Sequence, residues 1–156
     1  MKNLLTLLLC ISILITAFVF AEEQQPELNI PVYVTIKGNN VTLQDQILSI
    51  TKKELRKIDN VTVVSGEDDD YRFCLNIEVA SLLERTNGVD CVLSIIHTEK
   101  VDCNDSSIEK LIGNYMKTGN ENNIEYECKL ITALFDQDII EAQRRQFRDA
   151  VKSLGW

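Results

Sequence analysis

Four of the five cysteines and the single histidine are the residues best suited to covalent chemistry: Cys74, Cys91, Cys103, Cys128 and His97. A cysteine becomes a nucleophile when a histidine lies within hydrogen-bond distance of it. Cys91 and His97 can share one strand face, but six residues along a strand separate them by about 20 Å. We therefore expect no Cys–His nucleophile on this strand, and we expect His97 only to end it.

The same four cysteines are typical of two disulfides, because an even number of cysteines in an exported chain usually pairs. If the two central strands form a hairpin, Cys74 lies opposite Ile95 and more than about 10 Å from Cys91, beyond disulfide reach. We therefore predict the pairs Cys74–Cys103 and Cys91–Cys128. The alternative, Cys74–Cys128 with Cys91–Cys103, remains open.

No motif favours a metal or a cofactor. A zinc site needs several thiolates or imidazoles close together, and this chain has one histidine and no Cys-x-x-Cys pair. The acidic run Glu67 to Asp70 lacks the alternating oxygen ligands and the distant glutamate of a calcium-binding loop. We predict a solvated turn there, and no cofactor.

Three glutamates, Glu78, Glu125 and Glu127, fall on the wetter faces of predicted strands. Carboxylates in such positions could pair across a sheet for acid–base catalysis, but their spacing does not require it. A small secreted enzyme whose carboxylates converge only in three dimensions is therefore the alternative function. A non-catalytic protein is favoured, because no catalytic set is present.

A basic stripe is predicted on the last helix, where Arg144, Arg148 and Lys152 follow i, i+4 spacing next to Arg145. Such a stripe could receive the acidic surface of a partner. A solvated helix face that is balanced by nearby acids is the more common explanation.

The start of the chain has the pattern of a signal peptide. An unbroken apolar run from Leu4 to Phe20 follows a short positive start, and polar residues begin at Glu22. This pattern is typical of cleavage after Ala21, although an uncleaved anchor has a similar length. We predict a signal peptide over 1–21, a polar lead-in over 22–29, a single domain over 30–156 and a periplasmic or extracellular location.

The composition limits the classes of partner. The net charge of −8 is unfavourable for nucleic acid, which requires a basic surface. It is also unfavourable for an anionic membrane surface apart from a local basic patch. Membrane attachment is expected only through an uncleaved N-terminal segment.

The clearest structural pattern is a strand in which Tyr71, Phe73, Leu75, Ile77 and Val79 alternate with more polar residues. The partner strand of this hairpin is predicted over 89–98, apolar on both faces and therefore interior to the sheet. Before this hairpin, the periodicity predicts a strand over 30–37, a helix capped by Thr42 and a short strand over 60–65. After it, the pattern predicts a helix that opens with Ser106 and Glu109 and a strand over 124–130. A closing helix is predicted from Asp138, with the apolar stripe Ile140, Phe147, Val151 and Leu154.

This order predicts an α+β fold: a single two-layer domain with a mostly antiparallel sheet of about five strands and about three helices on one face. The order, with its acidic turn leading into the Tyr71-Arg72-Phe73 strand, resembles the amino-terminal domain of TolB and related bacterial envelope proteins. The resemblance covers Ile30 to Thr98. It implies a periplasmic interaction module and assigns no role to particular residues.

The uncovered face of the predicted sheet is the candidate interaction surface, with the apolar side chains Tyr33, Val92, Ile96 and Ile131. An exposed apolar patch of this kind indicates a partner or a dimer. The sequence therefore favours an exported, non-catalytic binding module for a protein or a component of the cell envelope.

Overall fold

The computed structural model describes residues 27–66, 70–85, 88–103 and 106–155, without the side chains of 83–85, 103 and 106. The predicted signal peptide over 1–21 and residues 22–26 of the lead-in lie outside the described residues. The predicted acidic turn over 67–70 is described only at Asp70.

A five-stranded sheet forms one layer of the fold. Its strands are β1 (Ile30–Gly38), β2 (Val61–Val63), β3 (Phe73–Arg85), β4 (Gly88–Cys103) and β5 (Ser106–Asn120), in the spatial order β2-β1-β3-β4-β5. β1 pairs in parallel with both β2 and β3, whereas β3–β4 and β4–β5 are antiparallel. The sheet is therefore mixed, and the expectation of a mostly antiparallel sheet is only partly met.

Two helices, α1 (Val41–Leu55) and α2 (Ile124–Phe135), form the second layer. They bury Leu43, Ile47 and Leu55 of α1 and Cys128 and Ile131 of α2. These side chains share one core with inward residues of the central strands. The α+β assignment is confirmed at this level, with apolar faces of sheet and helices buried against each other.

A third helix, α3 (Glu141–Ser153), follows a single π-helical turn over Asp136–Ile140. It buries none of its side chains. Two helices therefore cover the sheet face rather than the three that were expected. Ile140, in the π turn, is buried as predicted, but Leu154 at the other end of the predicted stripe is exposed.

The predicted central strand is confirmed. Phe73, Leu75, Ile77 and Val79 are all buried in the core, and β4 is interior to the sheet as expected. The hairpin register differs by three residues from the predicted one, because Cys74 pairs with Thr98 rather than with Ile95. The strands continue to Arg85 and Gly88, so the turn lies further along the chain than expected.

The predicted helix that opens with Ser106 and Glu109 is wrong, because this segment is the edge strand β5. A register irregularity lies where His97 pairs with Gly113 and Thr98 pairs with Leu111, which leaves Ile112 as an extra residue. A bulge of one residue interrupts the alternation of a strand. Apolar residues before and after it therefore acquire the i, i+3, i+4 spacing that is typical of a helix.

The predicted strand over 124–130 is also wrong, because this segment is helix α2. The residues Ile124, Cys128, Ile131 and Phe135 are buried, and their i, i+4, i+7 spacing is helical. Exposed Tyr126 accounts for the misleading alternation.

Helix α1 is confirmed, although its cap is Asn40 rather than Thr42. The Asn40 Oδ1 atom accepts a hydrogen bond of 3.0 Å from the Leu43 amide, which satisfies one of the free amides at the helix start. Gly38 ends the preceding strand where the backbone of β3 approaches closely. A Cβ atom at this position would lie 2.5 Å from the Val79 carbonyl oxygen, so only glycine fits there.

Candidate functional site

The face of the sheet opposite the helices is the main candidate surface, here called the open face. Its side chains alternate with the buried ones, so that Thr35, Asn76 and Ile96 form one row across three strands. Tyr33, Val92 and Ile96 are half-buried on this face. These three residues therefore lie where the sequence placed them.

Ile131 does not belong to this surface. It is completely buried on α2, between the helices and the sheet. The placement was wrong because the segment was assigned to a strand. Ile131 lies three positions after the buried Cys128, and residues at this spacing share one face of a helix.

One end of the open face is closed by a polar and aromatic cluster around Tyr71. The Tyr71 hydroxyl donates a hydrogen bond of 2.6 Å to Glu109, and Thr98 donates another of 3.1 Å to the same carboxylate. The Tyr33 ring lies 5.4 Å from the Tyr71 ring, and the Lys100 ammonium lies 4.9 Å from the Tyr71 ring centroid. These contacts connect β1, β4 and β5 to the segment before β3. A cavity of about 440 Å³ lies beside them, with Tyr71, Arg72 and Lys100 in its lining.

The other end carries a shallow concavity of about 290 Å³. Lys37 and Glu78 lie side by side on paired strands there, and Val92 and Ser94 form part of the wall. The concavity contains a few polar groups at the rim of a largely apolar floor. It suits an extended side chain of a partner better than a small polar metabolite, because it is open along the sheet.

Among the strands that the structure describes, β5 forms the outer edge of the sheet and pairs only with β4. Its exposed large apolar side chains are Ile108 (54% exposed), Leu111 (59%), Ile112 (36%) and Met116 (75%). Leu111 and Met116 pair with Thr98 and Ser94 and therefore extend the open face to its edge. Sequence reasoning missed this edge because the segment was predicted to be helical.

His97 lies on the buried face of β4 and is one of the residues that line a cleft of about 300 Å³. Its ring contacts the rings of Tyr115 and Phe135 edge to face, at 5.2 and 5.1 Å. Burial lowers the pKa of His97 to about 4, and nearby Asp138 acts in the opposite direction. The imidazole is therefore neutral at pH 7.

A hydrogen-bond chain continues from this histidine. Nε2 of His97 lies 3.4 Å from the Tyr115 hydroxyl, which donates to the Ile131 carbonyl at 3.2 Å. Burial also raises the pKa of Tyr115 well above its usual range. Two neutral groups that satisfy each other in a core are suited to holding β4, β5 and α2 together. Neither Cys91 nor Cys74 can form a dyad with His97. Cys91 lies six residues away along the same strand, and Cys74 lies on the other face of the sheet.

The cysteines occupy two sides of the sheet. Cys74 lies on the open face, where its thiol donates to Asn76 at 3.5 Å, whereas Cys91 and Cys128 lie in the core. Burial raises the pKa of both core thiols, that of Cys128 to about 11. They are therefore protonated and weakly reactive at pH 7.

No disulfide is seen among the side chains that the structure describes. The side chain of Cys103 lies outside them, so the pair Cys74–Cys103 stays a prediction. Cys91 and Cys128 are separate thiols in one core, close enough to interact electrostatically. Their oxidation to the predicted disulfide also stays a prediction.

The three glutamates of the enzyme alternative are not brought together. Glu78 lies on the open face, whereas Glu125 and Glu127 lie on α2 in the other layer. Glu125 is paired with Lys129 at 2.7 Å, and Glu127 lies 4.0 Å from Lys117. In the described ranges no group of three His, Cys, Asp or Glu side chains is arranged to hold a metal ion.

The basic residues Arg144 and Arg148 differ in their environments. The Arg144 guanidinium donates to Asp136 at 3.0 Å, to Glu141 at 2.6 Å and to the Asp59 carbonyl at 2.7 Å. It is therefore committed to holding the start of α3 against the turn after α1. Arg148 is more exposed, with Glu141 at 4.0 Å, and is accessible to a partner.

Comparison with known proteins identifies no family. No family model matches the sequence, and no curated protein matches it. Solved structures with a similar course of the chain include the PelC dodecamer from Paraburkholderia phytofirmans, at 16% identity and a TM-score of 0.43 over 72% of this chain and 90% of that chain. A hypothetical protein from Chlamydia trachomatis matches at 10% identity and a TM-score of 0.37, over 81% of this chain and 95% of that chain.

A minor lipoprotein from Acinetobacter baumannii matches at 11% identity and a TM-score of 0.28, over 70% of this chain and 92% of that chain. Likenesses at these TM-scores carry no functional argument, and the resemblance to the TolB domain stays a prediction. Within the ranges that the structure describes, no helix is both long enough and apolar enough to span a membrane.

Proposed function

We propose that this protein is an exported, non-catalytic interaction module that binds an extended segment of a protein partner along β5. The observation that carries the proposal is the outer edge of β5, which no described strand pairs with, together with its exposed apolar side chains. An edge strand presents unpaired amide and carbonyl groups that can bond to an added strand. The exported location rests on the signal-peptide pattern of the sequence.

The length and position of β5 support strand addition. Its 15 residues form an edge about 50 Å long. A strand added beside it would extend the open face, and alternate side chains of that strand would contact Leu111 and Met116. The partner segment is therefore expected to carry apolar residues at every second position.

Charge supplies a further criterion for the partner. Lys110 is exposed on β5. Lys117, further along β5, faces the helices and lies 4.0 Å from Glu127 of α2. Lysine on an edge strand disfavours pairing with arbitrary strands. An acidic residue of the partner opposite Lys110 would restore favourable pairing, so we expect a segment that is both apolar and acidic.

The test places a photoreactive amino acid at Met116 in the exported protein in its own cells. We expect a discrete crosslinked protein adduct, and we expect Leu111→Lys to suppress its yield at least several-fold, because the added charge would lie against the partner's apolar side chains. The matched control is a photoreactive residue at Tyr126, which is 65% exposed on α2. Equal adducts at both positions, or an adduct that Leu111→Lys leaves unchanged, would contradict binding along β5.

A further inference from the structure

Helix α3 leaves the far end of its apolar side uncovered, where Leu154 is 71% exposed. It begins where Arg144 fixes it to Asp136 and Asp59, and none of its own residues is buried. Thirteen residues give the helix a length of about 20 Å. Nine of its residues follow Arg144, and none of these nine is fully buried.

One stripe of α3 is apolar. Phe147, Val151 and Leu154 follow i, i+4, i+7 spacing, and the stripe continues backwards to the fully buried Ile140. Phe147 and Val151 are half-buried, and Leu154 is 71% exposed. The same stripe is therefore covered at its start by the domain and left open at its end.

Cations border this stripe. Arg148 lies about 100° and Lys152 about 140° around the helix axis from Phe147, with Arg145 beyond them. All three are exposed, and Arg144 is already neutralised by Asp136 and Glu141. The acids of α3 are Glu141 and Asp149, fewer than its four cations, so this part of an acidic protein carries a local positive charge.

A polar, basic helix with a narrow stripe of large apolar side chains has the features of a helix that lies in a membrane interface. Long basic side chains beside the stripe can reach the headgroups while the stripe enters the acyl boundary. We propose that α3 binds the surface of an anionic lipid bilayer. This site is separate from β5, and the proposal does not depend on a partner there.

The experiment uses the protein recovered after export and follows its single tryptophan, Trp156, which is two positions beyond Leu154 in the sequence. Vesicles contain phosphatidylcholine alone or with about 30 mol% phosphatidylglycerol, the anionic component. We expect the Trp156 emission to shift to the blue with the anionic vesicles only, and brominated acyl chains to quench it. Added salt is expected to weaken the binding, because it screens the headgroup charge.

Two sets of substitutions separate the contribution of the cations to vesicle binding from that of the apolar stripe. Arg148→Gln with Lys152→Gln is expected to weaken vesicle binding about 25-fold, since each cation near an anionic surface contributes about fivefold. Leu154→Ser is expected to reduce quenching without unfolding the domain, because Leu154 is exposed. The matched control Val41→Ser removes an apolar side chain of similar exposure on α1, outside both proposed sites, and is expected to bind as well as the unchanged protein.

Three results would overturn the proposal. The first is equal binding to neutral and anionic vesicles, and the second is sedimentation with vesicles without quenching of Trp156, which would indicate attachment through residues 1–21. The third is a lipid-free oligomer that Leu154→Ser dissociates, since this would assign the stripe to a second copy of the chain.

Discussion

His97 is buried, and its imidazole is neutral at pH 7. Its ring is 2% exposed and packed between Tyr115 and Phe135, so the protonated form is disfavoured. Neutral imidazole and protonated phenol satisfy each other there. The residue therefore connects β4, β5 and α2 and is not available as a general base in water.

This burial predicts a loss of stability in mild acid. The unfolded chain takes up a proton near pH 6.5, whereas folded His97 does so only near pH 4. The unfolded state thus binds more protons between these values, and the stability present above pH 6.5 is lost as the pH falls towards 4. We expect the part of the free energy of unfolding due to His97 to be about 2 kcal/mol lower at pH 5 than at pH 7.

Urea unfolding of the unchanged protein and of His97→Phe measures this contribution. The variant removes the only histidine, so the carboxylates remain as the groups that titrate in this range. Between pH 7 and pH 5, the free energy of unfolding of the variant is expected to fall by about 2 kcal/mol less than that of the unchanged protein. Identical pH dependences for the two proteins would show that His97 is protonated equally in the folded and unfolded states.

At the scale of elements, the attachment of α3 depends on Arg144. Its guanidinium bonds to Asp136, Glu141 and the Asp59 carbonyl. Arg144→Ala is expected to increase hydrogen exchange over 136–153 about fivefold, since a partly exposed ionic group of this kind contributes about 1 kcal/mol. Exchange in β3 and β4 is expected to stay the same.

Arg145→Ala is the matched control, because Arg145 is exposed on the next position of the same helix. It is expected to leave exchange over 136–153 unchanged. Equal effects of the two substitutions would mean that the charge of the helix, and not the Arg144 contacts, determines its local stability.

The elements also show what the sequence could predict. The alternation of Phe73 to Val79 and the apolar stripe of α1 come from undisturbed periodicity, and both elements are where they were predicted. β5 was missed because the bulge at Ile112 converts strand spacing into helical spacing. α2 was missed because exposed Tyr126 falls between buried residues, and short apolar runs fit both periods.

The residues of a candidate surface could be predicted only where the helix or strand that carries them was predicted correctly. Tyr33, Val92 and Ile96 reached the open face because the strands that carry them were assigned correctly. Ile131 did not, because its element was assigned wrongly. The edge of β5 and the uncovered end of α3 depend on which elements pack together, which the local pattern does not encode.

At the scale of the whole molecule, the sheet separates the cysteines into two groups. Cys74 lies on the open face, and Cys91 and Cys128 lie in the core on the other side. The sheet therefore separates Cys74 from both Cys91 and Cys128, whereas it does not lie between Cys91 and Cys128. Of the two predicted arrangements, only the one that pairs Cys74 with Cys103 is compatible with this separation.

Peptide mapping, under non-reducing conditions, of the protein isolated from its own cells tests this separation. We expect peptides that link Cys91 with Cys128, or both as free thiols, and never a link from Cys74 to either. The same map on protein that was fully reduced before digestion is the control. Recovery of a Cys74–Cys128 peptide would require a different arrangement of α2 against the sheet.

The central claim, binding of an extended segment along β5, is tested most directly by residue-resolved amide exchange of the protein alone and in its crosslinked complex. Amides of β5 that point towards β4 are already bonded, whereas those that point outwards are unpaired until a strand is added. We predict that the outward amides of β5, at every second residue on each side of the bulge, become at least tenfold slower in the complex. Unchanged exchange along β5, with new protection at another surface, would contradict the proposal.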